Sequence, residues 1–207
     1  MSYNFDFLVL WPYWPQLLRG FLVGLLTAVV RDSAFAPLRW LAIGYVELIR
    51  NTPFLLQIFF IFFGLPSVGI SLNPWPAAVL ALSLNCGAFS SEIIRQGIAA
   101  IPRGQLEAGR ALGLSAAQIF RFIVLKPALR IIFPALAGQF ILALLTTSIA
   151  SSISAEELTS VAQSIDTVTF RSFEIYLVIT FLYFGLSYIF ASVFKAITQT
   201  FFSYPVK

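Results

Sequence analysis

Residues 128–150, ALRIIFPALAGQFILALLTTSIA, decide the class of fold. A helix needs about 20 predominantly apolar residues to cross the hydrocarbon core of a bilayer, and this run is that long, with Arg130 as its one charged residue. Comparable apolar stretches recur at 39–64, 75–98 and 174–200. The sequence therefore predicts an all-α fold, a polytopic bundle of transmembrane helices.

The composition supports a membrane protein. Of the 207 residues, 59% are hydrophobic and 11% are charged, whereas about 25% are charged in a typical soluble domain. A soluble chain of this length has too little interior to bury so much apolar surface. Because no stretch of about 100 residues has a soluble composition, we expect one transmembrane domain over residues 1–207.

A fifth span, at about 7–30, is marginal because Arg19 interrupts it. Residues 20–30 alone are too short to cross at about 1.5 Å per residue. Burying an arginine costs about 2.5–3.5 kcal/mol on insertion scales. Either residues 7–30 cross with Arg19 buried, or the first span is defective. We expect about five spans.

Basic residues are concentrated in alternate loops. They lie in the 31–38 loop, in the 99–127 loop and at Lys207, whereas the 65–74 loop is uncharged and the 151–173 loop is mainly acidic. Positive charge favours the cytoplasmic side. With five spans, the N-terminus is expected outside and the C-terminus in the cytoplasm.

Several classes of function are excluded by composition. The chain has no histidine, and Cys86 is its one cysteine, so we expect no metal, no cofactor and no enzymatic activity. The net charge of +4 fits basic cytoplasmic loops. No basic patch interleaved with aromatic residues is present, so nucleic acid is not an expected partner.

Two prolines interrupt the apolar spans. Asn51-Thr52-Pro53 breaks the second span, and Pro134 lies in the fourth. Each is interpreted either as an ordinary kink or as a site where a cavity or neighbouring helices satisfy freed backbone groups. Glu47 and Arg50 can pair on one helix face, as an interfacial anchor or with a role in transport.

The 99–127 loop predicts a helix–glycine–helix elbow. Residues 105–112 suit a short helix, which Gly113 can end in the left-handed conformation. Ser115 is a suitable N-cap for a second helix over about 116–125, and Pro127 is expected to break that helix. The elbow is either a docking surface for another protein or a simple connector.

The elbow sequence EAGRALG (107–113) resembles the EAA loop of ABC-importer permeases, whose core reads Glu-Ala-Ala, three residues, then Gly. Glu107, Ala108 and Gly113 fit that pattern, and Gly109 replaces the second alanine. Three further stretches join it: YVELIRNTPFLLQIFFIFFGLP (45–66), ALSLNCGAFSSEIIRQGIAAIPRGQ (81–105) and TFRSFEIYLV (169–178). Together, over about residues 31–200, they resemble the polar-amino-acid uptake family, the histidine/glutamine permease group.

The resemblance implies a permease subunit that translocates amino acids across the bacterial inner membrane. Its implied partners are ABC ATPase subunits that bind the ATP, a second permease, identical or related, and an extracytoplasmic amino-acid-binding protein. Glu107, Ala108, Gly109 and Gly113 would form the ATPase-docking loop.

Polar residues within the spans are candidates for the translocation path or its gate: Asn85, Glu92, Arg95, Gln139, Thr146, Thr147 and Ser148. Each has a structural alternative. Asn85 could make an interhelical hydrogen bond, Glu92 and Arg95 could pair structurally, and the hydroxyls could bond to their own helix carbonyls.

The sequence departs from the family pattern in four places. The region before Arg31 is short, Leu145-Thr146 stands where a Lys-Asp or Lys-Asn pair is common, Lys126 separates the usual Leu-Pro, and Ser154-Ala155-Glu156 replaces Gly-x-Pro. These departures leave one alternative, a diverged, non-transporting membrane scaffold that retains the permease fold.

Overall fold

The computed structural model describes residues 14–31 and 35–201, with side chains from Leu22 onward. Helices joined by short turns account for these residues, and no strand occurs among them, so the predicted all-α class is confirmed. The chain divides into two compact units, Met1–Ser91 and Glu92–Lys207.

The first unit is built from helices that are bounded as follows: α1 Trp14–Arg31, α2 Ala36–Arg50, α3 Phe54–Phe59 with the π turn Phe60–Gly64 and the 3-10 turn Leu65–Val68, and the first part of α4 Pro74–Ala99. The predicted span 75–98 therefore matches α4. Residues 7–13 of the marginal span and the side chain of Arg19 lie outside the described residues. The described apolar part of α1, Leu22–Arg31, is shorter than a bilayer crossing.

The predicted span 39–64 is a bent pair of helices. The segments Ala36–Arg50 and Phe54–Val68 meet at an angle of 112°, far beyond an ordinary kink. Pro53 has no N–H to continue the helix, and a proline disfavours helical geometry in the residue before it. The second span is thus broken at Asn51-Thr52-Pro53.

Small residues allow α1 to pack closely against α4 within the first unit. A Cβ built on Gly24 would lie 2.7 Å from Ser90 Cβ, and one on Gly87 would lie 2.9 Å from Val23 Cγ1. The hydroxyl of Tyr45 on α2 donates to the Leu84 carbonyl at 2.5 Å. The packing leaves no room for larger side chains at these glycines.

The second unit contains the end of α4 and helices bounded as follows: α5 Arg103–Ala111, α6 Ala116–Gln118, a π turn Ile119–Val124, α7 Leu125–Thr146, a 3-10 turn Thr147–Ile153, α8 Leu158–Thr169 and α9 Ser172–Phe201. From Ala116 to Ile153 the helix is continuous. The predicted span 128–150 is therefore the middle of a longer helix, and α9 matches the predicted span 174–200. Helix α8 was expected to be loop.

The prediction that Pro127 ends a separate helix at 116–125 is wrong. The Leu125 N–H donates to the carbonyl of Phe120, five residues back, which is the pattern of a π turn. This wider turn changes the hydrogen-bond register just ahead of Pro127, so the helix continues past a residue that has no N–H. It also continues through Pro134.

Helices α7 and α9 pack antiparallel through phenylalanine rings. Ring centroids lie 6.2 Å apart for Phe133 and Phe194, and 6.0 Å apart for Phe140 and Phe190. Among the aromatic side chains of α9, Tyr176, Phe181, Phe184 and Tyr188 are exposed. Tyr183 and Phe190 instead contact residues of their own unit.

The described residues contain fewer membrane spans than the five expected for the whole chain. Three helices are long and apolar enough to cross a membrane, or four when the bent pair counts as one span. The bundle is polytopic. The count does not include the N-terminal segment, whose described apolar part is Leu22–Arg31.

Candidate functional site

The predicted elbow is present between α5 and α6. Helix α5 begins at Arg103, slightly before the expected start, and the chain turns at Gly113 with φ +74°. The N–H of Gly113 donates to the Arg110 carbonyl at 2.9 Å, and that of Leu114 donates to the Gly109 carbonyl at 3.1 Å. Glycine suits this position because the left-handed region disfavours residues with a Cβ.

Ser115 begins the next helix as predicted. Its hydroxyl accepts from the Gln118 N–H at 3.4 Å, and the Gln118 side chain accepts from the Ser115 N–H at 2.8 Å. This reciprocal capping box fixes the direction in which the chain leaves the elbow. The Ser-x-x-Gln spacing was visible in the sequence, but the role of Gln118 was missed.

Gly109 supports the elbow from inside. It is buried, and a Cβ built on it would lie 2.5 Å from Ile123 Cδ1 and 3.2 Å from Ile119 Cγ1. Helix α5 therefore packs directly on the π turn that follows the elbow. An alanine here, as in the EAA pattern, would require the Ile123 side chain to move.

The opposite face of α5 is open. Glu107 and Ala108 are exposed, and 79% of the Leu112 surface is exposed. Gly113 has no atom within 4 Å of a built Cβ. The elbow thus presents a carboxylate, small residues and one large apolar side chain on a surface backed by Gly109.

One buried side chain donates hydrogen bonds to the backbone carbonyls at the break in the second span. The Gln57 amide nitrogen donates to the Ile49 carbonyl at 2.7 Å and to the Thr52 carbonyl at 3.0 Å. Backbone carbonyls freed inside a membrane must be satisfied by other groups. Asn85 Nδ2 in turn donates to Gln57 Oε1 at 3.0 Å. The interhelical hydrogen bond expected as one alternative for Asn85 is present, and no sequence pattern indicated a role for Gln57.

The end of α2 carries further polar contacts. Asn51 Nδ2 donates to the Glu47 carboxylate at 3.0 Å, and the Arg50 guanidinium lies 5.7 Å from the centroid of the Phe89 ring. Cation–π contacts of this kind favour arginine. The Glu47–Arg50 ion pair itself stays a prediction.

Glu92 and Arg95 pair as the spacing predicted. Arg95 Nη2 lies 2.5 Å from Glu92 Oε1, and Gln96 Nε2 donates to the same oxygen at 3.1 Å. Glu92 is 7% exposed, so its charge needs these partners. A gating role for the pair stays a prediction.

Hydroxyls at the end of α7 bond to their own helix. Thr146 donates to the Leu142 carbonyl at 2.7 Å, and Ser148 donates to the Leu145 carbonyl at 2.8 Å. Thr147 makes the same kind of bond to the Leu144 carbonyl at 2.6 Å. The back-bonding alternative is therefore observed, whereas Gln139 is half-buried and its role stays a prediction.

A cluster around Glu157 was missed from sequence. The carboxylate accepts from the N–H groups of Thr159 at 2.9 Å and Ser160 at 2.7 Å, capping α8. It also accepts from the Tyr183 hydroxyl on α9 at 2.8 Å. Among the described residues no three Asp, Glu, His or Cys side chains form a possible metal site, and the geometry around Glu157 is that of a hydrogen-bond network.

The fold is that of a known transport family. The family described as "Binding-protein-dependent transport system inner membrane component" matches residues 20–202. The chain belongs to this family, which makes it a membrane-embedded transport subunit and not an enzyme. The resemblance to ABC permeases is thereby confirmed.

Individual relatives cover most of the chain. It is 43% identical over 146 residues to the L-cystine transport system permease protein TcyB of Bacillus subtilis, covering 70% of this chain and 62% of that protein. It therefore spans less than two thirds of the length of that relative. It is also 33% identical over 197 residues to the glutamine transport system permease protein GlnP of Escherichia coli, covering 87% and 90%.

A solved structure shares the fold. The chain is similar to a subunit in the crystal structure of an amino acid ABC transporter with histidines, with a TM-score of 0.83 and 34% identity, covering 95% of this chain and 99% of that one. The predicted permease fold is confirmed by this similarity.

Proposed function

We propose that this chain is the membrane-spanning subunit of an ATP-driven importer that carries amino acids across the bacterial cytoplasmic membrane. The family establishes a transport subunit. The amino-acid substrate is supported by relatives whose names specify cystine and glutamine systems and by the similarity to an amino acid ABC transporter.

The elbow is the proposed docking site for a cytoplasmic ATPase, and it is the observation that carries the proposal. Its outer face exposes Glu107, Ala108 and Leu112, while Gly109 packs α5 against the body of the unit. A rigid short helix held in this way transmits force in both directions. Closure of the ATPases around ATP would push on α5 and shift the helices packed behind it.

The remaining partners follow from that arrangement. ATP is bound by the ATPase subunits, a second permease completes the path, and an extracytoplasmic binding protein delivers the amino acid. The C-terminus lies in the cytoplasm with the elbow, and the N-terminus lies outside.

Polar side chains of the long helices are the proposed path and gate residues: Asn85, Glu92, Arg95, Gln139, Thr146, Thr147 and Ser148. A serine or threonine hydroxyl that donates to its own helix still has lone pairs that can accept a hydrogen bond from a substrate. The ion pair between buried Glu92 and partly exposed Arg95 is the proposed gate.

No contact among the described residues favours the alternative of a non-transporting scaffold. A scaffold has no need for an elbow with its left-handed glycine, its capping box and its packed Gly109 all in place. The departure at Leu145-Thr146 falls where the helix tightens into a 3-10 turn, and the fold tolerates it.

The test is capture of the cognate ATPase by the detergent-solubilised chain. Gly113→Arg should abolish capture. Gly69→Arg is the matched control, because Gly69 also has a positive φ, +86°, and open space around a built Cβ, but lies outside the elbow. Capture by wild type and Gly69→Arg alone supports docking at the elbow. Equal capture by Gly113→Arg, or none by wild type, would contradict it.

A further inference from the structure

The corner between α8 and α9 has an unusual backbone conformation. Phe170 caps α8 with φ 55° and ψ 32°, in the left-handed region. Its N–H donates to the Asp166 carbonyl at 2.8 Å, and the Ser172 hydroxyl donates to the Asp166 carboxylate at 2.8 Å. The corner is therefore fixed by hydrogen bonds on both sides of Phe170.

Phenylalanine is an unfavourable choice for this position. A left-handed helix cap is usually glycine, because a Cβ crowds the following carbonyl oxygen. The Phe170 side chain is 86% exposed, so it gains little from packing within the chain. Val168 and Phe173, its neighbours at the corner, are 79% and 78% exposed. The advantage of these side chains must come from a surface outside the chain.

The exposed face of α9 indicates what this external surface is. Phe173 begins a stripe of exposed apolar side chains spaced three or four residues apart, which places them on one helix face: Phe173, Leu177, Phe181, Phe184 and Tyr188. Helix α9 is long and apolar enough to cross the membrane, and a stripe on such a helix faces lipid chains. Val168 and Phe170 are exposed at the corner where this span begins.

We propose that Val168, Phe170 and Phe173 form a lipid anchor, which inserts into the bilayer at its boundary with water. Aromatic side chains favour this boundary, and the polar flanks Arg171 and Glu174, both exposed, remain on the water side. The anchor holds α8 against the membrane surface, with its polar residues, such as Gln163, facing water. The occupant of this apolar surface is lipid rather than a protein partner.

Nitroxide accessibility tests the anchor directly. Phe170→Cys is made in a Cys86→Ser background, since Cys86 is the one native cysteine, and the labelled chain is reconstituted in vesicles of phosphatidylethanolamine and phosphatidylglycerol. Phe181→Cys provides the lipid reference and Gln163→Cys the water reference. Collisions with oxygen, which concentrates in lipid, are compared with collisions with a water-soluble nickel chelate.

The expected result is that the label at 170 behaves like that at 181, with strong oxygen collisions and little contact with nickel. Nickel accessibility equal to that at 163 would overturn the proposal, because the corner would lie in water. Protection from both reagents would also overturn it and would indicate a protein occupant. If Phe170→Cys does not fold, Val168→Cys and Phe173→Cys give the same readout at positions with ordinary backbone geometry.

Discussion

Asn85 and Gln57 join α4 to the broken second span: Asn85 Nδ2 donates to Gln57 Oε1 at 3.0 Å. The same Gln57 side chain donates to the carbonyls of Ile49 and Thr52 on the other side of the break. One amide therefore satisfies backbone groups that Pro53 leaves open and fixes the bend to a neighbouring helix. The bend is therefore stabilised by side-chain hydrogen bonds of the chain itself.

Gln57→Leu should destabilise the chain. The substitution keeps a similar size but leaves the Ile49 and Thr52 carbonyls without this donor. An unsatisfied buried polar group costs about 1–3 kcal/mol. Thermal unfolding in detergent, followed by circular dichroism, should show a lower midpoint for Gln57→Leu than for wild type.

Two controls distinguish this loss from a general effect. Asn85→Leu should cost less than Gln57→Leu, because it removes a donor to one side-chain oxygen only, and the double variant should lose less than the sum of the single losses. Gln163→Leu, at an exposed position, is the matched glutamine. Equal midpoints for Gln57→Leu and Gln163→Leu would refute the role of Gln57.

Gly109→Ala should weaken ATPase capture by changing the buried side of the docking loop, opposite the exposed Glu107. The new Cβ would lie 2.5 Å from Ile123 Cδ1, so either the Ile123 side chain changes its rotamer or α5 shifts outward. Overpacking of this kind costs about 1–3 kcal/mol. Capture by the purified chain, titrated with ATPase, should be weaker than for wild type.

The second substitution Ile123→Val should restore part of this capture, because valine lacks the Cδ1 atom that the new Cβ meets. The contact with Ile119 Cγ1 at 3.2 Å remains, so we expect partial rescue. An absence of rescue, or normal capture by Gly109→Ala alone, would show that this contact does not position α5.

Gly113→Ala and Gly138→Ala should change stability in opposite directions. Neither glycine has an atom within 4 Å of a built Cβ. The backbone conformation therefore determines whether alanine stabilises or destabilises the chain. At Gly113, with φ +74°, alanine should cost about 1–2 kcal/mol. At Gly138, inside α7, alanine should stabilise by up to about 1 kcal/mol through helix propensity. Unfolding midpoints that fall together for both variants would contradict this account of the elbow.

Tyr183→Phe should loosen α8 from α9. It removes the hydrogen bond from the tyrosine hydroxyl to the Glu157 carboxylate, and hydrogen bonds to charged groups contribute about 1.5–3 kcal/mol. Tyr188→Phe is the control because Tyr188 is 67% exposed. Amide hydrogen exchange should be faster across Leu158–Thr169 in Tyr183→Phe only. Unchanged exchange there would show that the hydrogen bond between Tyr183 and Glu157 does not hold α8 against α9.

The parts of the structure that the sequence predicted are those with local causes. Gly113 and Ser115 define the elbow because a left-handed turn and an N-cap depend on a few neighbouring residues. The apolar spans at 75–98 and 174–200 are set by the bilayer thickness. The Glu92–Arg95 pair depends on helical spacing alone.

The parts that were missed depend on contacts distant in sequence or on helix register. Pro127 was expected to break a helix, but the π turn before it allows the helix to continue. Gln57 is far from Asn85 in sequence, and its role appears only once the 112° bend is known. Tyr183 on α9 donates a hydrogen bond to Glu157 at the start of α8, a contact between residues distant in sequence.

The central claim is that this chain forms the path of an ATP-driven amino-acid importer, and uptake by reconstituted vesicles tests it most directly. The chain is assembled with the second permease, the ATPase and the binding protein, and entry of labelled glutamine or cystine is measured with and without ATP. We predict ATP-dependent accumulation of an amino acid that Gly113→Arg abolishes and Gly69→Arg preserves. An assembled complex that hydrolyses ATP but accumulates no amino acid would contradict the account.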